Sequence, residues 1–213
     1  YHTQNRQDFY KTTVSNEILR RAFYSANGLG QLVGTITDSL YSGATNDEYK
    51  LMKELMSEFN TAGNFINQTV VAPTDTASTK ALAQAIKKTV LKMGFMNNAY
   101  NKAGVQTFSD PSDLVLLISP DVSVQMDTEL LAYAFNSQKF DTDAQVIVVD
   151  DFGTAMTTTQ AILVDKEWFR VYDTLTESNS TYNPQGLYSN IFYHVHQVLS
   201  TSQFANAVQF KTA

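Results

Sequence analysis

Two runs in the last third of the chain decide the reading: Ala161-Ile162-Leu163-Val164-Asp165-Lys166-Glu167-Trp168-Phe169-Arg170-Val171-Tyr172-Asp173, and Tyr188-Ser189-Asn190-Ile191-Phe192-Tyr193-His194-Val195-His196-Gln197-Val198-Leu199. Both are rich in apolar, β-branched and aromatic residues, the composition of strands. Thr174 to Gln185 separates them as a polar gap, and Asn179 to Gln185 within it is the expected flexible loop. Asn206-Ala207-Val208-Gln209-Phe210 follows as a short apolar tail. Long strands that end in no catalytic group suit a wall better than an active site.

At the other end of the chain, Val14, Ile18, Ala22, Phe23, Ala26, Leu29, Val33, Ile36 and Leu40 recur at steps of mostly three and four. This spacing predicts one long amphipathic helix over residues 14 to 41, with Ser15 as its cap and Glu17 in its first turn. Gly28, Gly30 and Gly34 interrupt it, each at about 1 kcal/mol relative to alanine, so a kink or a close backbone contact is expected there. Ser42-Gly43 should end this helix, and Thr45-Asn46-Asp47-Glu48 should open another through a capping box.

The middle of the chain alternates. Phe65 to Ala72 reads as a strand ended by Pro73, and Ser78 to Met96 as a helix. Leu114 to Ile118 shows no polar alternation and reads as a buried strand. Ser119-Pro120-Asp121 opens a helix, while Val146 to Val149 and Ala161 to Val164 are further buried strands. Alternation over residues 65 to 164 indicates a compact α/β lobe. A second, elongated lobe would then be built from both chain ends.

This order, together with the strand-then-helix motif Asp113-Leu114-Val115-Leu116-Leu117-Ile118-Ser119-Pro120-Asp121, resembles the major capsid proteins of tailed bacteriophages, in particular their small podovirus-like members. The resemblance implies an α+β, Hong Kong 97-like fold in which a central axial domain interrupts a peripheral domain of long helix and long strands. On that pattern residues 1–60 are the first part of the peripheral domain, and 1–12 the returning end of its extended loop. Residues 61–166 are the axial domain, 167–200 the second peripheral part, and 201–213 a return toward the axial domain. The family's N-terminal arm and most of its extended loop have no counterpart here, so no cross-linking lysine–asparagine pair is assigned.

Composition agrees with that class. An apolar share of 43% is ample for a core, and the net charge of −6 argues against a grip on duplex DNA. Any nucleic acid is more readily enclosed than bound. With no cysteine there is no disulfide, thiolate nucleophile or Cys-ligated zinc. The longest apolar runs fall far short of the ~20 residues of a membrane helix. No secretory signal is present, and the start at Tyr1 rather than Met predicts upstream sequence.

Candidate sites are few. Gly28-x-Gly30-x-x-x-Gly34 suggests dinucleotide binding, but the fingerprint needs a preceding strand, and here a helical pattern surrounds it. His194 and His196 share one strand face, two ligands where a metal site takes three or four. Asp110 and Asp113 flank a strand start, and Asp150 and Asp151 follow a strand end, where α/β ligands bind. Paired acids could hold Mg²⁺. Met52, Met56, Met93 and Met96 read as core filler. No Gly-x-Ser-x-Gly elbow exists. No catalytic, cofactor or metal residue is therefore assigned.

The resemblance implies a structural protein of a phage or prophage virion without enzymatic activity. It would assemble with itself into pentamers and hexamers of an icosahedral shell, formed in the host cytoplasm around double-stranded DNA, with scaffolding and portal proteins as further partners and no membrane. An encapsulin-like compartment subunit is the alternative on the same fold. An α/β enzyme using Asp150 and Asp151 is the remote one.

Overall fold

The computed structural model describes residues 4–24, 27–126 and 144–212. The chain divides into two compact units, Tyr1–Met52 with Arg170–Ser200, and Lys53–Phe169 with Thr201–Ala213.

In the first unit a three-stranded sheet has the order β1-β7-β6, with β1 at Arg6–Ser15, β6 at Phe169–Asn183 and β7 at Tyr188–Thr201. β1 and β7 are antiparallel, in register from Arg6 opposite Gln197 to Ser15 opposite Tyr188. Tyr193 and Val195 of β7 pack on Leu40 and Ala44 of a long helix, with Tyr10, Ile36 and Ile191 around them. The expected packing of the N-terminal helix on the strand from Ser189 to Leu199 is thus present.

The helix itself differs from expectation. Val14 and Ser15 end β1, a short α1 runs Asn16–Phe23, and α2 runs Gly28–Thr61 without stopping at Ser42-Gly43. Ser15 does cap α1, accepting from the Ile18 amide at 3.4 Å, with Glu17 in the first turn. The Asn27-Gly28 step resumes the helix. Asp47 and Glu48 start nothing, because their carboxylates are engaged by Tyr10, Lys50 and Gln197 inside a continuous helix. The close backbone contact falls at Gly43, where an added Cβ would stand 3.2 Å from the Tyr10 ring; Gly30 and Gly34 have open space.

The polar gap is also strand. Thr174 to Asn183 continue β6, carried by the ladder to β7 although both faces are largely exposed. The turn occupies only 184–187. Asn183 Oδ1 accepts from the amides of Gln185 (3.0 Å) and Gly186 (3.3 Å), and a Cβ at Gly186 would collide with the Tyr188 ring.

In the second unit a five-stranded sheet has the order β2-β8-β5-β3-β4, with β2 at Ile66–Thr69, β3 at Leu114–Ile118, β4 at Gln145–Val148, β5 at Thr159–Asp165 and β8 at Ala207–Lys211. β2 with β8 and β3 with β4 are parallel; β5 is antiparallel to both β3 and β8. The apolar tail is therefore an inner strand, with Val208 and Phe210 fully buried. α3, Thr76–Met93, lays Leu82, Ile86, Val90 and Met93 on Leu114, Leu116, Leu163 and Phe210. It starts two residues earlier than the periodicity suggests, because Asp75 caps it reciprocally with Ser78. Ser119 caps the helix that opens at Pro120, as expected.

β4 corrects the reading of a buried strand at 146–149. It is the sheet's edge, Val146, Ile147 and Val148 are exposed, and only Val149 is buried. Phe59, Phe65 and Trp168 form a separate aromatic cluster, with Trp168 5.3 Å from Phe59 edge-on. No described helix is long and apolar enough to cross a membrane.

Candidate functional site

Parallel β3 and β4 send Ser119 and Asp150 out from their C-terminal ends, beside a cleft of about 450 Å³ lined in part by Asp121, Asp150, Asp151, Gln125 and Thr159. This is where the fold rule for α/β sheets places a ligand. The two carboxylates are already engaged there. Lys53 Nζ stands 2.9 Å from Asp150 Oδ1 and 2.9 Å from Asp151 Oδ2. Burial alone would lower the Lys53 pKa, but bonds to both acids outweigh it and raise the group above the ordinary lysine value. Asp113 lies at the other end of β3, paired with Lys166 at 2.7 Å, so the two acidic motifs do not converge. Among the described residues no group of three or more His, Asp or Glu is placed to hold a metal.

Gly28 is the first residue of α2, and a helix and a turn precede it rather than a strand. His194 lies opposite Phe9 on β1, and its ring contacts Phe9 at 6.0 Å and Phe192 at 6.2 Å; His196 lies opposite Gln7. The histidines are part of a sheet face.

Sequence reasoning missed the most organised polar cluster of the first unit. The Arg6 side chain is 1% exposed. Its guanidinium donates to Asp8 (2.9 Å), Gln197 Oε1 (2.5 Å), Tyr10 Oη (2.9 Å) and the Ala44 carbonyl (2.8 Å), with Glu48 at 3.6 Å. Tyr10 in turn donates to Asp47, and Gln197 Nε2 donates to Glu48 (3.0 Å) and Asp173 (2.6 Å). One cation thus ties β1, α2, β7 and β6. Burial works against the Arg6 charge, yet its bonds to Asp8 and Tyr10 raise its pKa; burial, aided by Asp47, raises that of Tyr10. The signal was present: Arg6, Asp8 and Tyr10 alternate on one face of a strand.

The second unit has a comparable chain of polar groups. Asn101 donates to Thr107 Oγ1 (3.0 Å), Thr107 to Asn206 Oδ1 (3.0 Å), Asn206 to Ser109 Oγ (2.9 Å), and Ser109 to Asp165. Burial raises the Asp165 pKa, opposed by the Ser109 bond. The folded state therefore holds this proton to a higher pH than the unfolded chain. Stability should fall as pH rises from the ordinary aspartate value of 3.8 through the raised folded value. Carbon-detected NMR titration should find Asp165 above the usual range, and urea unfolding of Asp165→Asn should lose that pH slope. An ordinary Asp165 titration would contradict this.

A profile of the Phi29-like phage major capsid protein family matches residues 1–211. The chain belongs to that family. It is 40% identical over 217 residues to the major capsid protein of Bacillus phage B103 and 39% over 215 residues to that of Bacillus phage PZA, covering 100% and 99% of this chain. It spans 47% of each of those relatives. Its fold matches the capsid structure of Staphylococcus phage Andhra with a TM-score of 0.73 at 13% identity, covering 100% of this chain and 71% of the other. The expected Hong Kong 97-like α+β fold is therefore found, and this capsid-family chain carries it nearly end to end.

Proposed function

We propose that this chain is the shell-forming part of a phage major capsid subunit, a structural protein without enzymatic activity. The observation that carries the reading is the family match over residues 1–211. The second unit would serve as the axial domain, near the expected 61–166 with the 201–213 return, and the first as the peripheral domain of 1–60 and 167–200. Copies related by heterologous contacts close into rings where the rotation permits. Pentamers and hexamers formed so would tile an icosahedral virion shell, built in the host cytoplasm with scaffolding and portal proteins.

Net charge of −6 suits a wall that encloses double-stranded DNA without gripping it. Engagement of Asp150 and Asp151 by Lys53 removes the main support for an α/β enzyme. The encapsulin-like alternative is disfavoured, because the relatives near 40% identity are phage capsid proteins.

The full-length protein, co-expressed with its scaffolding protein, should give closed shells in negative-stain microscopy and a matching large species in light scattering. Protein that stays monomeric under those conditions would count heavily against the proposal.

A further inference from the structure

Asn27-Gly28 is the chain's single Asn-Gly step, and it stands where α2 begins. The Gln31 amide donates to the Asn27 carbonyl at 3.1 Å, which makes Asn27 the cap and Gly28 the first helical residue. The first four amides of a helix have no intrahelical acceptor, so the Gly28 N–H stays outside the ladder. Gly28 carries no side chain to cover its nitrogen, and Asn27 is exposed. The start of α2 is also thinly held. None of residues 28–39 is buried, and Val33 is 54% exposed. An added Cβ at Gly30 or Gly34 would meet nothing within 4 Å. A turn with few contacts and several weak helix formers opens locally with ease.

We infer that Asn27 is a site of covalent modification, deamidated by its own backbone with water as the co-reactant. The Gly28 nitrogen loses its proton and attacks Asn27 Cγ. A C–N bond forms, the Cγ–Nδ2 bond breaks, and Nδ2 leaves as ammonia with that proton. The product is a five-membered succinimide. Water then opens the ring at one of its two carbonyl carbons. Opening at Cγ gives aspartate; opening at the main-chain carbonyl gives isoaspartate, whose backbone runs through the side-chain carbon. Nothing is oxidised or reduced, and each conversion replaces a neutral amide with a carboxylate.

The two products affect α2 differently. Aspartate caps a helix about as well as asparagine and places its charge at the favourable end of the dipole. Isoaspartate lengthens the main chain by a methylene and displaces the carbonyl that receives the Gln31 amide, so the first turn loses its starting bond. The damage is local, because Leu40, which packs on β7, lies about three turns further along. This chemistry needs only the dipeptide and the helix start, and is independent of the shell-forming reading.

The full-length protein, native and in urea, would be incubated side by side in mildly alkaline buffer and digested with trypsin. Peptide 22–50, released at Arg21 and Lys50, carries the change. Native protein should convert Asn27 at a rate within a few-fold of that in urea. The product should give two chromatographic peaks of equal mass, one of them a substrate for an isoaspartyl methyltransferase. Asn179-Ser180 is the internal comparison, since Asn179 is held extended within β6 and its Nδ2 donates to Glu177 at 3.2 Å. It should convert roughly tenfold or more slowly when native than in urea. Gly28→Ala should slow conversion of Asn27 several-fold, and Asn27→Gln should leave the mass of the peptide constant. Native Asn27 that keeps its amide while the urea-treated chain loses it would overturn the inference. So would a mass gain that persists in Asn27→Gln.

Discussion

Arg6→Ala should lower the unfolding free energy by about 3 kcal/mol, because it leaves a buried polar cluster without its central donor. Four hydrogen bonds disappear at once, and Gln197 Oε1 and the Ala44 carbonyl lose a buried donor. Arg6→Lys keeps the charge but not the planar fork that reaches Asp8, Tyr10 and Gln197 together, so it should recover only part of the loss. Arg6→Met combined with Gln197→Leu removes donor and acceptor together and should be milder than Arg6→Ala. Urea unfolding followed by far-UV circular dichroism would measure the series. A change below about 1 kcal/mol for Arg6→Ala would place the cluster with ordinary surface ion pairs.

Trp168→Ala should cost about 4 kcal/mol, the usual toll of truncating a buried aromatic. Trp168 is 2% exposed and packs against both Phe59 and Phe65. Its Nε1–H is buried without a hydrogen-bond partner, which makes Trp168→Phe the informative control. Phenylalanine keeps the ring contacts and removes an unsatisfied donor, so that variant should lose much less. Chemical unfolding by circular dichroism is the suitable measurement, because Trp168 is the chain's single tryptophan and its fluorescence disappears with it. Equal losses for the two variants would show that the packing argument is wrong.

The fold was legible where side-chain pattern alone sets the element. Leu114 to Ile118 is a continuous apolar run and is the strand β3; Ser119-Pro120 caps and opens a helix; Ser15 caps α1. It was obscured where tertiary contact overrides local signals. Thr45 to Glu48 carries a helix-start pattern, yet α2 passes straight through, because Tyr10 and Gln197 take up the acidic side chains. The ladder to β7 similarly makes strand of polar residues with little intrinsic preference for it. Val146 to Val148 reads as interior from composition, and only sheet order reveals the edge.

Of the candidate sites, the glycines and the acids were identifiable as motifs, but nothing in the sequence tells that Lys53, about a hundred residues away, meets Asp150 and Asp151. Arg6 was only half legible, because Asp8 and Tyr10 share its strand face but its other partners, the Ala44 carbonyl and Gln197, lie 38 and 191 residues away.

The central position of β7 also constrains how the protein is made. Among the described residues β1 at Arg6–Ser15 pairs with β7 at Tyr188–Thr201 alone, so the sheet of the first unit has no middle until that later strand has been made. At roughly 5–20 residues per second, the ribosome holds β1 waiting on the order of ten seconds or more for its mate. During that interval Tyr10 and Val14 lack their native cover, and high contact order slows closure further. The nascent β1 strand thus needs protection in the meantime, and slowing translation between β1 and β7 should increase aggregation before it changes anything in the finished protein.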